Sequence, residues 1–388
     1  MSEQIIERGQ TIELDKVNGN LKIGKDATII AKNKSITVNG SIVNRGGFVC
    51  EGSLVARNIR VKNGSAEILG NLELQQYAQV DNRLDVNGSV ICPDISVGGS
   101  LYIETDIQSD SVKVGGTVKI GNKAQVETIK TGGTLKIFGE SNVGSITVGG
   151  TVKLLQTAQI DSIKVGGTVK VTGGRFAYIK IGGSFKSTEK VEINSMDIGG
   201  TVKAEDDVII EDLSVGGSFT AGKNLQFGRI DIGGTIKIYG NATGKTLKVG
   251  GTISCQENLT CEEKLLIGGS CIVEKVIDAQ DIEVGGKIVA KFINAKYFKI
   301  KRRGEVSGTV NAEIIIVSSR ATADDLYGKD IRIEENARVR NVYGDSITLE
   351  EGARVSGEIL YTSDFYAEDG VKAKEAQKVD ALPSPKAK

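Results

Sequence analysis

Histidine is absent from all 388 residues, which removes the commonest general base and the commonest metal ligand together. Tryptophan is absent as well, and aromatic residues make up only 5% of the chain. Proline occurs 3 times against 50 glycines, so the chain is neither collagen-like nor a Pro-rich disordered polymer. Lys plus Arg balances Asp plus Glu at 49 each, and no global charge directs it to nucleic acid. No apolar run of roughly 18 residues is present to span a bilayer. The start, MSEQIIERGQTIELD, lacks the basic-then-apolar pattern of a secretory signal. The five cysteines, Cys50, Cys92, Cys255, Cys261 and Cys271, are odd in number and lack CxxC spacing. Zinc or redox chemistry is therefore not expected, and reduced thiols in a cytoplasmic protein are.

What the chain has is a repeat. The second glycine of a Gly-Gly pair falls at Gly99, Gly116, Gly133, Gly150, Gly167, Gly183, Gly200, Gly217, Gly234, Gly251, Gly269 and Gly286. The gaps are 17 residues throughout, save one of 16 and one of 18. Around each pair the pattern alternates: in SITVGGTVKL, Ile146, Val148, Val152 and Leu154 are apolar, while Thr147, Thr151 and Lys153 lie between them. Period 2 in short Val/Ile/Thr-rich segments indicates strands with one buried side. A 17-residue unit of short strands is too small for a propeller blade and too β-rich for a helical repeat. It fits one coil of an all-β parallel β-helix, each coil stacking about 4.8 Å above the last, with a right-handed wind expected.

The glycine pair then marks a corner, as at Gly116, Gly133, Gly150, Gly167 and Gly200, where a repeated positive φ is expected. A phosphate-binding loop would need a helix after the glycines, and a strand follows instead. Upstream, segments such as KVNGNLKIG and DVNGSVIC carry Asn-Gly at the same place; downstream, GEVSGTVNAEIIIV and RIEENARVRNVYG continue the alternation. The expected layout is an N-terminal extension over 1–11 and a solenoid over 12–371, on the order of 100 Å long. Within it lie irregular coils over 12–98, regular coils over 99–300 and C-terminal coils over 301–371. SSRATADDLYGKD, 318–330, breaks the pattern as a loop or distorted coil, and 372–388 is a polar tail expected to be disordered.

Stacking converts period into columns. Lys119, Lys136, Lys153, Lys170, Lys186 and Lys203 each lie three positions after a glycine pair. Over 112–203 there are 13 basic and 6 acidic residues, a net of +7 in a chain that sums to zero. Neighbouring lysines about 4.8 Å apart repel by about 1 kcal/mol per pair before screening. Such a stripe either docks an anionic surface, such as a membrane face or an acidic neighbour, or keeps exposed strands from pairing laterally. A Thr/Ser column directly after the glycines, from Thr117 to Ser270, reads as a structural hydroxyl ladder.

The segment SITLEEGARVSGEILYTSDFYAEDGVKA, 346–373, has an xxGAxVxGxI rhythm that resembles the bactofilins, polymer-forming cytoskeletal proteins of bacteria and archaea. The resemblance implies a right-handed three-sided β-helix that polymerises end to end without nucleotide, some members being membrane-associated. The long array of paired glycines departs from that family's usual pattern.

Enzymatic chemistry is not expected. Near-constant spacing leaves little room for cleft-building loops, and a hexapeptide-type acyltransferase would need the missing histidine. No cofactor, metal, small-molecule substrate or nucleic acid is expected; the expected partner is the chain itself, with a membrane surface second. Tyr361, Phe365 and Tyr366 crowd six residues and are the candidate polymer interface, or else a cap on the last coil. The alternatives are a surface or adhesin-type solenoid and a monomeric spacer that binds an anionic surface through its lysines.

Overall fold

The computed structural model describes residues 3–385. The chain divides into two compact units, Met1–Ile193 and Asn194–Lys388. In each, strands one coil apart pair in parallel, and no helix occurs among the described residues. The chain is a β-solenoid.

One coil of the first unit shows the construction. Strand Thr117–Ile120 forms one side. Strand Ala124–Thr131 forms the other two, bent at Glu127, which the ladder skips. Three corners result: the glycine pair Gly132 and Gly133, the single residue Glu127, and an open turn at 121–123. Val118, Ile120, Ala124, Val126 and Ile129 point inward and are buried. Lys119, Gln125, Glu127 and Lys130 alternate outward and are exposed. Like residues then stack in register: Leu135 on Val118, Val152 on Leu135, Val169 on Val152.

Volume is balanced across neighbouring layers. Phe176 and Phe185 meet edge to face at 6.4 Å, and the same two strands carry the small residues Gly174 and Ser187 two positions from each ring. Small residues beside large rings keep the interior filled without overpacking. The buried Oγ atoms of Ser141 and Ser187 have no hydrogen-bond partner among the described residues.

The paired corners differ from expectation. At the glycine-pair corners Gly115, Gly116, Gly132, Gly133, Gly149, Gly150, Gly166 and Gly167, φ lies outside the left-handed region. The second glycine of a pair has no room for a side chain because corners stack at close quarters: a Cβ on Gly116 would stand 2.7 Å from the Gly99 carbonyl oxygen, and one on Gly150 2.5 Å from that of Gly133, whereas one on Gly233, a first glycine, would meet nothing within 4 Å. Within the regular array Gly174 has positive φ (134°), beside an open turn; the other positive-φ residues among those described lie outside it. In the second unit they include Arg303 (φ 63°), Arg320 (61°), Asn336 (57°), Gly352 (69°) and Gly370 (81°). Ala321, Ala337 and Ala353 follow three of them, wholly buried, and each amide closes a turn onto the carbonyl three residues back. The first unit has positive φ at Gly9, Asp26, Gly47 and Asn63, and after Gly9 the Gln10 amide closes the same turn onto Glu7 O.

The outer boundaries also move. The expected extension over 1–11 contains strand Glu3–Ile6, paired with Asn20–Ile23, so the ladder begins before residue 12. The irregular stretch at 318–330 is no loop. Strand Thr322–Ile333 pairs with Glu305–Val317 on one edge and Arg338–Leu349 on the other. The tail over 372–388 is partly structured: Lys372 bridges to Arg354, Gln377 and Lys378 pair with Leu360 and Tyr361, and Val379 N donates to Tyr361 O at 2.9 Å. Beyond that, Leu382, Pro383 and Pro385 lie beside Ala312, Tyr327 and Gly328. Residues 386–388 of that tail lie outside the described residues.

Candidate functional site

The corners offer no phosphate cradle. Gly115 N donates to Val97 O at 3.0 Å, Gly116 N to Gly99 O at 2.8 Å and Gly133 N to Gly116 O at 3.1 Å. Amides committed to the preceding coil are not available to an anion. The hydroxyl column beside them is a ladder, with Thr168 and Ser184 oxygens 3.2 Å apart and Ser218 donating to Thr201 at 3.3 Å.

The lysine column is real in the first unit. Lys119 pairs with Lys136, Lys136 with Lys153, Lys153 with Lys170 and Lys170 with Lys186. Lys203 belongs to the second unit, where it heads a column of Thr220, Lys237, Ser254 and Ile272 and lies 3.8 Å from Glu205. Among the described residues, Lys153 and Lys170 have no carboxylate within ion-pair distance, and Lys119 and Lys136 meet rings instead. Lys119 Nζ is 4.9 Å from the centroid of Tyr102, which also carries Arg83 at 4.5 Å; Lys136 Nζ is 4.0 Å from that of Phe138. Attraction to the ring face partly offsets lysine–lysine repulsion.

Toward the N-terminal end of the column the outward residues change sign, from Lys119 through Tyr102 to Asp85 and Glu67. Arg83 is bound to Asp85 at 2.7 Å. These residues and Phe138 line an open depression of 730 Å³, a concavity that regular spacing alone does not forecast. A second lysine column also escaped the sequence reading. Lys113, Lys130, Lys164 and Lys180 stand two positions before the glycine pairs, with Thr147 in the middle place, so lysines line both sides of the corner. The same 17-residue spacing was there to find it.

At the far end of the second unit, Phe365 pairs with Ile347, itself stacked on Ile331 and Ile315. Phe365 therefore continues an inward column and is half-buried. Tyr361 stacks on it at 5.5 Å, while Tyr366 stands on the outward position above Thr348 and is 60% exposed. The three aromatic residues thus divide: two cover the core and one faces outward.

Open corners of the second unit hold an amide ladder unmarked in the sequence reading. The Asp207 carboxylate accepts Asn224 N at 2.9 Å, Asn224 Oδ1 accepts Asn241 N at 2.9 Å, and Asn241 Oδ1 accepts Asn258 N at 3.2 Å. In the first unit buried Asn44 performs a related task. Its Nδ2 donates to the carbonyls of Ile23, Gly24 and Gly47, and its Oδ1 accepts Gly47 N at 2.8 Å.

All five cysteines are buried and unpaired. Burial pushes the thiols of Cys50, Cys92 and Cys261 up to about 12, which disfavours the thiolate that nucleophilic or metal chemistry requires. Among the described residues, no group of three His, Cys, Asp or Glu side chains is placed to hold a metal ion. Among the described residues, no helix is long and apolar enough to cross a membrane. Compared with protein-family models, with curated proteins and with solved structures, the chain matches none.

Proposed function

We propose that this chain is a non-enzymatic scaffold, assembling end to end through its terminal coils without nucleotide or cofactor in the cytoplasm. The observation that carries this reading is the last long strand of the second unit, whose outer edge the tail covers at Leu360 and Tyr361 and leaves open beyond them. Ile359–Ala367 puts Tyr361 and half-buried Phe365 over the last core column and leaves Tyr366 exposed beside them. A stacked parallel ladder has open donors and acceptors at its ends, and another copy supplies their complement without a new fold. Among the described residues, strand Glu3–Ile6 pairs along one edge only, with Ile5 55% exposed. The bactofilin-like rhythm of 346–373 points the same way.

Negative-stain images of purified protein, with and without salt and nucleotide, test this. Filaments in every condition are expected, and Phe365→Arg should give folded short particles instead. Wild-type protein that stays monomeric at high concentration in all conditions overturns the scaffold reading.

A second reading rests on the in-register lysines. Lys153 and Lys170, without carboxylate partners among the described residues, suit an anionic membrane face. Replacing Lys136, Lys153, Lys170 and Lys186 by Gln should abolish sedimentation with anionic vesicles, and added salt should have the same effect. Binding unmoved by both changes rules this reading out.

A further inference from the structure

In the first unit, the side of the coil between the single-residue corner and the glycine pair carries a charge pattern that varies coil by coil. Asp110 at the corner accompanies Lys113 on the strand; Glu127 accompanies Lys130; Asp161 accompanies Lys164. In the coil where the corner residue is Gly144, the lysine is replaced by Thr147. In these four coils acid and base are present together and absent together. All six charged groups are exposed, and none forms an ion pair within the described residues. Between the two columns runs a strip of small hydroxyl residues, Ser111, Thr128, Ser145 and Ser162, one above the other. The pattern stops at the next coil, where Ala177 and Tyr178 replace the acid and the small hydroxyl while Lys180 keeps the base. An open depression of 500 Å³ runs along the acidic edge from Asp110 to Asp161.

An acid and a base at opposite edges of one flat side are self-complementary under a two-fold axis parallel to the coil axis. Such an axis keeps every coil at its own height and exchanges the two edges. Lys113 of one copy then meets Asp110 of a second, Lys130 meets Glu127, Lys164 meets Asp161, and the neutral coil meets itself. The hydroxyl strip lets the lysine stems cross without steric cost.

We infer that this side is a lateral contact between two parallel copies of the chain. The inference rests on the scaffold reading and names its side-by-side interface. Exposed ion pairs are individually weak, and a patch this short lies well below the area of a stable interface. The contact therefore acts when end-to-end assembly presents many patches at once.

The test uses two charge-reversed variants of the full chain: Lys113→Glu with Lys130→Glu and Lys164→Glu, and Asp110→Lys with Glu127→Lys and Asp161→Lys. Circular dichroism melts first confirm that both fold. Wild-type filaments should lie in lateral pairs at low salt and separate into single filaments as salt rises. Each variant alone should give single filaments at every salt concentration, and an equimolar mixture should recover the pairs. Lateral pairs in either variant alone, or none in the mixture, overturn the inference. Single wild-type filaments at low salt overturn the lateral contact alone and leave the scaffold reading standing; if wild-type protein forms no filaments, the scaffold reading fails and the lateral contact falls with it.

Discussion

Gly133 sits over Gly116 so closely that a Cβ on it would lie 2.7 Å from the Gly116 carbonyl oxygen. The stacked partner, rather than the backbone angle, dictates the residue. Asn tolerates the left-handed region, but it carries the same Cβ as Ala.

Gly150→Ala and Gly150→Asn should therefore destabilise the protein alike, by about 1–3 kcal/mol. At Gly352, with φ 69°, the close neighbour is the Asn336 side-chain amide, which can move. Gly352→Asn should cost less there than Gly352→Ala. Thermal melts of the four variants check this, and a Gly150→Asn variant as stable as wild type would show that the corner needs only left-handed freedom.

Val152 is fully buried, and Lys153 beside it faces outward. Val152→Asp places an unpaired charge among stacked apolar neighbours and should unfold the adjoining coils. Lys153→Ser should melt within about 0.5 kcal/mol of wild type.

Asn241 both donates and accepts in its ladder, so Asn241→Ala leaves the Asn258 amide without its acceptor. The expected loss is about 1 kcal/mol. Asn241→Asp keeps the acceptor and should recover most of it, as chemical denaturation would reveal.

Glu283 receives hydrogen bonds from Lys301 at 2.8 Å and Lys264 at 2.9 Å, and these ammonium groups hold its carboxyl down at about 2 from an ordinary 4.5. A depressed acid contributes stability above its unfolded pKa and loses it as pH falls through the folded value. Glu283→Gln should therefore be modestly less stable than wild type at pH 7. That difference should shrink between pH 4.5 and about 2, and salt should reduce it because the group is partly exposed. A gap independent of pH would assign the effect to packing.

Native thiols should resist an aromatic disulfide reagent until the protein unfolds, then react at all five positions. Rapid labelling of a cysteine in the folded state would contradict the buried placement.

The sides of the coils were legible in the sequence because strand alternation and a fixed period determine which residues face inward and which stack. Lys119 through Lys186 could be aligned by counting. The corners were not, since a glycine required by a stacked carbonyl and one required by positive φ leave the same letter. Residues 318–330 looked irregular because their turn uses Arg320, a residue uncommon in the left-handed region. The coil there is held by its neighbours on both edges. The tail looked disordered from composition, which carries no record of the free strand edge that Gln377 and Lys378 pair with. The acid column was hidden because its members sit at a corner that interrupts the alternation, outside the period-2 pattern.

The 16-residue coil is short by one residue at its open turn, over 172–173. The 18-residue interval instead inserts at the single-residue corner, where Glu262 and Glu263 occupy the place of Lys245. In both cases the sides keep their register. Corners thus absorb changes in chain length that the sides cannot. Short insertions at an open turn should leave every ladder position at its height, so within each unit these turns are natural places to graft a foreign peptide and display it at a chosen level.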